Sequence, residues 1–195
     1  WGKVSAARAT TRLLSSRYNG SKIDLVFFTG VAGATRKNLK QWDIILADSV
    51  IQHDMDARPI YDKYVIPALN NKKIIPDHDL LDWTFNYLKK ELIQKNYTKF
   101  GTLYKGLIAT GDMFVSNQKK INQLSKEIDG VAAVEMEGAA FAQVAAQEKV
   151  DWLVLRIISD EANENASNDF NEFLNTYKLN SYNLIKCFIN ALVKI

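Results

Sequence analysis

Cysteine is almost missing from this chain: of 195 residues, Cys187 alone carries a thiol, so no disulfide can close within it. Cys187 lies in an apolar helical pattern and reads as a buried structural thiol, which fits a reducing, cytoplasmic compartment. Histidine is scarce too, with only His53 and His78 present. "QHDMD" gathers His53, Asp54 and Asp56, but two histidines without a cysteine cluster make a poor metal centre, and no metal is expected. No apolar run reaches the ~20 residues of a membrane span, and no signal peptide is legible, so no membrane role is expected. An excess of one charge is also lacking. The net charge is +3, and Lys and Arg are scattered in pieces such as "LKK" and "QKK", which suit solvated faces rather than a nucleic-acid-binding stripe. The three prolines all fall between residues 55 and 76, a stretch without period that is expected to be a long loop. No repeat or low-complexity tract interrupts the chain. There is no initiator methionine, and the opening "WGKVSAARATTRLL" is already in helical rhythm, so a preceding segment is expected.

What is present is ordinary globular material, 47% hydrophobic and 24% charged, enough for one domain over residues 1–195 with one core. Val4, Ala7, Leu13 and Leu14 recur at helical spacing and predict a first helix ending near Asn19-Gly20. "IDLVFF" (23–28) predicts a buried strand running into a glycine turn at "TGVAGA". Further strands are predicted in "DIILADSVIQHD" (43–54), "YKGLIATGD" (104–112), "VAAVEM" and "WLVLRIIS" (152–159). Helices are predicted from Asp77 or Asp79, with Leu81, Phe85, Leu88 and Leu92 inward, then over 117–127 and 138–148, and in the closing "NDFNEFLNTYKLNSYNLIKCFINALV". This alternation predicts an α/β domain with a mainly parallel sheet. In such sheets the ligand crevice lies beyond the carboxyl ends of the strands. "TGVAGA", "TGDMF", "EME" and "SDEAN" fall there, four segments converging on one site.

The side chains at those ends allow several chemistries. Glu135 and Glu137 are two apart, so at a strand end both face one side, where carboxylates can accept hydrogen bonds from sugar hydroxyls. The plainer alternative is that Glu137 caps the following helix. Arg156, inside an apolar strand, needs an acidic partner, and Glu135 or Glu137 could supply it. Asp160 is either a turn former or an acid poised to exchange a proton. Phe114 and Val115 suit a flat apolar slot for an aromatic base, or plain core packing. "TGVAGA" is too short for a dinucleotide fingerprint and lacks a P-loop lysine. Arg36 and Lys37 in "ATRKNLK" could hold phosphate, or form a solvated loop.

"AAVEMEGAAFAQVAAQEKVDWLVLRIISDEAN" followed by "FNEFL" closely resembles the C-terminal half of 5′-methylthioadenosine/S-adenosylhomocysteine nucleosidases, of the nucleoside phosphorylase/uridine phosphorylase superfamily. "GKVSAARATT", "FTGVAGA", "DIILAD", "QHDMD" and "ATGDMFV" fit the same family in order, so the likeness runs over about residues 1–190. It implies a three-layer α/β/α fold around a mixed, mainly parallel twisted sheet. It also implies hydrolysis of the bond between adenine and ribose without cofactor or metal, and a homodimer in which the loop 57–67 reaches the partner's pocket. Carried over by residue, Asp160 protonates adenine N7 and Ser159 orients it. Phe114 stacks near adenine, and Val115 meets its edge through backbone groups. Glu137 grips the ribose hydroxyls over Met136, Glu135 and Arg156 line the pocket, and Phe170 covers the 5′-substituent. An acid working at neutral pH needs a raised pKa, which an apolar pocket can give. The chain departs from the family pattern at Val31, where a small residue of "TGSAGG" is usual, at Trp42, where the "VGD" turn has glycine, and at Trp1, near the 5′-group, where an aliphatic residue is usual. The family's water-activating glutamate, on its opening strand, has no counterpart in these residues. A phosphate-using purine nucleoside phosphorylase and a catalytically silent nucleoside-binding domain are the alternatives on this fold.

Overall fold

The computed structural model describes residues 1–17, 19–94, 99–160 and 166–192, with the side chains of 166–169, 171, 179 and 191 left aside. In chain order the elements are α1 (Lys3–Leu14), β1 (Leu25–Ala34), β2 (Ile44–Gln52), β3 (Lys73–Ile74), α2 (His78–Gln94), β4 (Leu103–Thr110), α3 (Gln118–Glu127), β5 (Val131–Glu135), α4 (Gly138–Gln147), β6 (Asp151–Asp160) and α5 (Ala166–Leu192). The alternation expected from the sequence is therefore present. The stretch 55–76 is loop except for β3 at its end.

The sheet runs β3-β2-β4-β5-β1-β6. The long pairings β1–β6, β2–β4 and β4–β5 are parallel, and the short β1–β5, β2–β3 and β2–β6 pairings are antiparallel. Through Ile44↔Ile157, Ile45↔Arg156 and Leu46↔Leu155, β2 returns to β6. The ends of the sheet thus meet, so neither β2 nor β6 offers a bare edge along that stretch.

β6 shows why the strands read as unbroken apolar runs. Trp152, Val154 and Ile158 join the core under α4, while Leu153, Leu155 and Ile157 join the core under α2 and α5. Successive side chains point to opposite faces, and both faces are covered. A third cluster seats α3 through Ile121 and Leu124.

Helix starts follow local chemistry. Asp77 Oδ1 accepts the Leu80 N–H at 2.9 Å, and Asn117 Oδ1 accepts the Lys120 N–H at 2.8 Å, both side-chain N-caps. In α1 the last helical residue is Leu14, short of the expected end near Asn19-Gly20. Ala6 and Thr10 are buried, whereas Val4 is 78% exposed and Leu13 50%. Thr10 can face inward because its hydroxyl bonds back to Ala6 O at 2.8 Å.

One glycine expectation is corrected. "TGVAGA" forms no turn; it lies wholly within β1, paired with β6 from Leu25↔Asp151 to Gly33↔Asp160. Conversely Trp42, where the resembling family has glycine, adopts φ 76°. That left-handed backbone is strained for a bulky residue. Its ring is held by Phe173 at 4.4 Å and Phe100 at 5.8 Å, with Lys99 Nζ 4.6 Å from the ring centroid. Among the described residues no helix is long and apolar enough to cross a membrane.

Candidate active site

Where β1, β5 and β6 meet the loop after β4, a cavity of about 210 Å³ opens. Trp1, Val31, Phe114, Val115, Glu135, Met136, Glu137, Arg156, Ser159, Asp160 and Phe170 all line it, together with Phe28, Thr29, Gly30, Ala32, Gly33, Met113 and Val134. The side chains singled out in the sequence are thereby brought to one cleft. Only part of the "SDEAN" segment can be located, because residues 161–163 lie outside the described residues.

Glu135 ends β5 and is the hub. Its carboxylate accepts the Thr110 hydroxyl, the Glu137 N–H at 3.1 Å and the Gly138 N–H at 2.8 Å. It also accepts Arg156 Nε at 3.2 Å and Nη2 at 2.6 Å. The carboxylate that caps α4 is therefore Glu135, whereas Glu137 makes no side-chain cap bond. A negative group there favours the positive end of the helix, and it compensates a guanidinium that is itself buried. With five protein donors on its two oxygens, Glu135 has a structural part in the cavity wall.

Arg156 reaches Glu135 because of β1. The parallel register sets Gly30 beside Arg156, and a Cβ on Gly30 would lie 3.1 Å from Nη1. The glycine thus provides clearance for the guanidinium, which also lies over the Phe28 ring, 4.3 Å from its centroid.

Asp160 is buried at the end of β6. The register with β1 slips between Ala32 and Gly33, so that Ile158 and Asp160, but not Ser159, have β1 partners. Such a bulge re-aims the side chains beside it. Ser159 Oγ donates to Asp160 Oδ2 at 2.6 Å, and the Ser159 carbonyl accepts Gln41 Nε2 at 2.7 Å. Across the cavity, Glu137 Oε1 accepts the Gly2 N–H at 2.8 Å. The mouth is aromatic: Phe170 meets Trp1 at 6.0 Å and Phe114 at 5.9 Å, both edge-on.

Sequence reasoning missed Thr110, Gly30 and Gln41. Glycine in a strand pattern can signal close approach as well as a turn, but nothing local distinguishes Thr110 or Gln41. The "QHDMD" residues go separate ways. Asp54 pairs with Lys3 Nζ at 2.7 Å, Asp56 with Arg58 at 2.5 Å, and His53 is buried with both ring nitrogens unpartnered.

The phosphorylase superfamily model matches residues 1–192. A 5′-methylthioadenosine/S-adenosylhomocysteine nucleosidase from Haemophilus influenzae (strain PittEE) is 38% identical over 89% of this chain and 70% of its own length. The crystal structure of the Neisseria meningitidis nucleosidase of that name, in complex with methylthio-immucillin-A, matches at TM-score 0.85 and 29% identity, over 97% of this chain and 78% of that one. The native futalosine hydrolase of Helicobacter pylori strain 26695 matches at TM-score 0.80 and 33% identity, over 97% and 76%. The chain therefore belongs to the phosphorylase superfamily and, within it, to the 5′-methylthioadenosine/S-adenosylhomocysteine nucleosidase family.

Proposed function

We propose that the chain is an N-glycosyl hydrolase that releases adenine from 5′-methylthioadenosine and S-adenosylhomocysteine, acting as one domain in the cytoplasm. The observation that carries this reading is that Asp160 and Glu137, from different elements, open onto one apolar-walled cavity with an aromatic mouth.

In this reading adenine lies by Phe114 and Val115, and Asp160 donates a proton to its N7 while Ser159 holds the carboxyl in place. Protonating the leaving group weakens the glycosidic bond, and positioned proton donation contributes about 10²–10⁴-fold. As the base departs, positive charge grows on the ribose. Glu137, holding the ribose hydroxyls over Met136, stabilises that charge within the apolar-walled cavity. Val31 flanks the sugar, and Phe170 and Trp1 cover the 5′-substituent. Glu135 and Arg156 hold the wall rigid. No cofactor or metal enters the scheme.

Water is favoured over phosphate as acceptor. Gripping an anion calls for uncommitted cations, and among the described residues the charged ones lining the cavity are Glu135, Glu137, Asp160 and an Arg156 bound to Glu135. A homodimer is also proposed. The loop 57–67 is held to α3 by Lys63 and Tyr64 on Glu127, while Ile60 stands 83% exposed at its tip, available to a partner's cavity mouth.

The test is product analysis in phosphate-free buffer. 5′-Methylthioadenosine should yield adenine and free 5-methylthioribose at a rate indifferent to added phosphate. A strict phosphate requirement with a sugar 1-phosphate product would assign a phosphorylase, and binding without turnover would assign a silent nucleoside-binding domain.

A further inference from the structure

We infer that Thr110 is a positioning residue for this site: its hydroxyl sets the Glu135 carboxylate and the first turn of α4, and through them the backbone from which Glu137 projects. The inference rests on the nucleosidase reading for its kinetic consequence but not for its structural one.

Thr110 is the last residue of β4, fully buried, and stands directly opposite Glu135 in the parallel β4–β5 register. Its hydroxyl uses both of its capacities. It donates to Glu135 Oε1, and it accepts the Ala139 N–H at 2.8 Å. Ala139 is in the first turn of α4, where backbone N–H groups have no partner within the helix. Glu135 accepts the N–H groups of Glu137 and Gly138 just before it. One hydroxyl and one carboxylate thus bind three successive amides, 137 to 139, and fix the direction in which residue 137 leaves the sheet.

The main chain of Thr110 is anchored as firmly. Its carbonyl accepts the His53 N–H at 2.9 Å, and the next residue, Gly111, donates to the Glu135 carbonyl at 3.1 Å. The loop carrying Phe114 starts there. Thr110 therefore ties the segment beside the base to the turn beside the sugar. Because its proton is committed to Glu135, its lone pair is oriented toward Ala139. Serine can reproduce both bonds; valine, of the same shape, can make neither.

Two variants of the full chain test this. Thr110→Ser is expected to keep kcat and KM for 5′-methylthioadenosine within about threefold of the parent. Thr110→Val is expected to lower kcat by roughly 10–100-fold, the scale of a small misplacement at a reacting centre, with a smaller change in KM. In a Glu137→Gln background the Thr110→Val change should cost no more than about twofold further, since coupled residues are non-additive. Amide hydrogen exchange over residues 137–140 should be faster in Thr110→Val and unchanged in Thr110→Ser, and it reads the positioning even if the chain cleaves no nucleoside. Should the valine variant not fold, Thr110→Ala, which likewise lacks the hydroxyl, takes its place with the same expectations. Parent-like kcat and exchange in Thr110→Val, equal losses in the serine and valine variants, or full additivity with Glu137→Gln would each overturn the inference.

Discussion

Arg156 Nε and Nη2 both donate to the same oxygen, Oε2 of Glu135, and the two side chains are only 1% and 3% exposed. The pair joins β6 to β5 and closes the cavity wall. Removing one partner of a buried pair strands the other charge, at a cost of about 3–5 kcal/mol. Arg156→Met is thus expected to lower the melting midpoint by roughly 6–20 °C in a chain of this size. Calorimetry of Arg156→Met, Glu135→Gln and the Arg156→Met/Glu135→Gln double variant checks the cause: the double variant should lose less than the two single losses added together, because no charge is left stranded.

Trp42 offers a test in which two effects oppose. Glycine would relieve the left-handed backbone strain, worth about 1–2 kcal/mol. It would also remove a buried indole packed on Phe173 and Phe100, worth about 3–5 kcal/mol for large-to-small changes. Packing wins, so Trp42→Gly should be less stable by roughly 1–4 kcal/mol in urea unfolding. A stabilised glycine variant would mean that the strain outweighs the packing.

His53 predicts a pH dependence. Burial holds it below its ordinary value of 6.5, Lys120 and Lys3 push the same way, and Asp54 opposes them. As the pH falls through 6.5 and below, the unfolded chain takes up a proton that the folded chain resists, so this contribution to stability falls. Above that window both states are neutral and the contribution is flat. Unfolding free energies at about pH 5 and about pH 7.5 should differ less in His53→Gln than in the parent, by the share this residue supplies.

Much of this was legible because the strands are apolar on both faces and end in polar clusters, which is where an α/β sheet builds its sites. The "VEMEGAA" and "RIISD" segments carried the acids to the cavity, and the buried Arg156 announced its need for a carboxylate. What escaped was decided by register. Gly30 looked like a turn residue, yet it serves as clearance for a guanidinium on the neighbouring strand. Two glutamates two positions apart offered no sign of which would cap α4; only the closure of β5 against Thr110 and Arg156 selects Glu135. Nor did the sequence mark Thr10 as buried: polar by composition, it satisfies its hydroxyl within its own helix and packs as an apolar residue.

The measurement that bears most directly on the central claim is Asp160→Asn, assayed for adenine release and, by calorimetry, for binding of 5′-methylthioadenosine. With the proton donor removed, release should fall by about 10²–10⁴-fold while the nucleoside still binds. Turnover equal to that of the parent would contradict the assignment of Asp160 as the acid, and with it the mechanism built on this cavity.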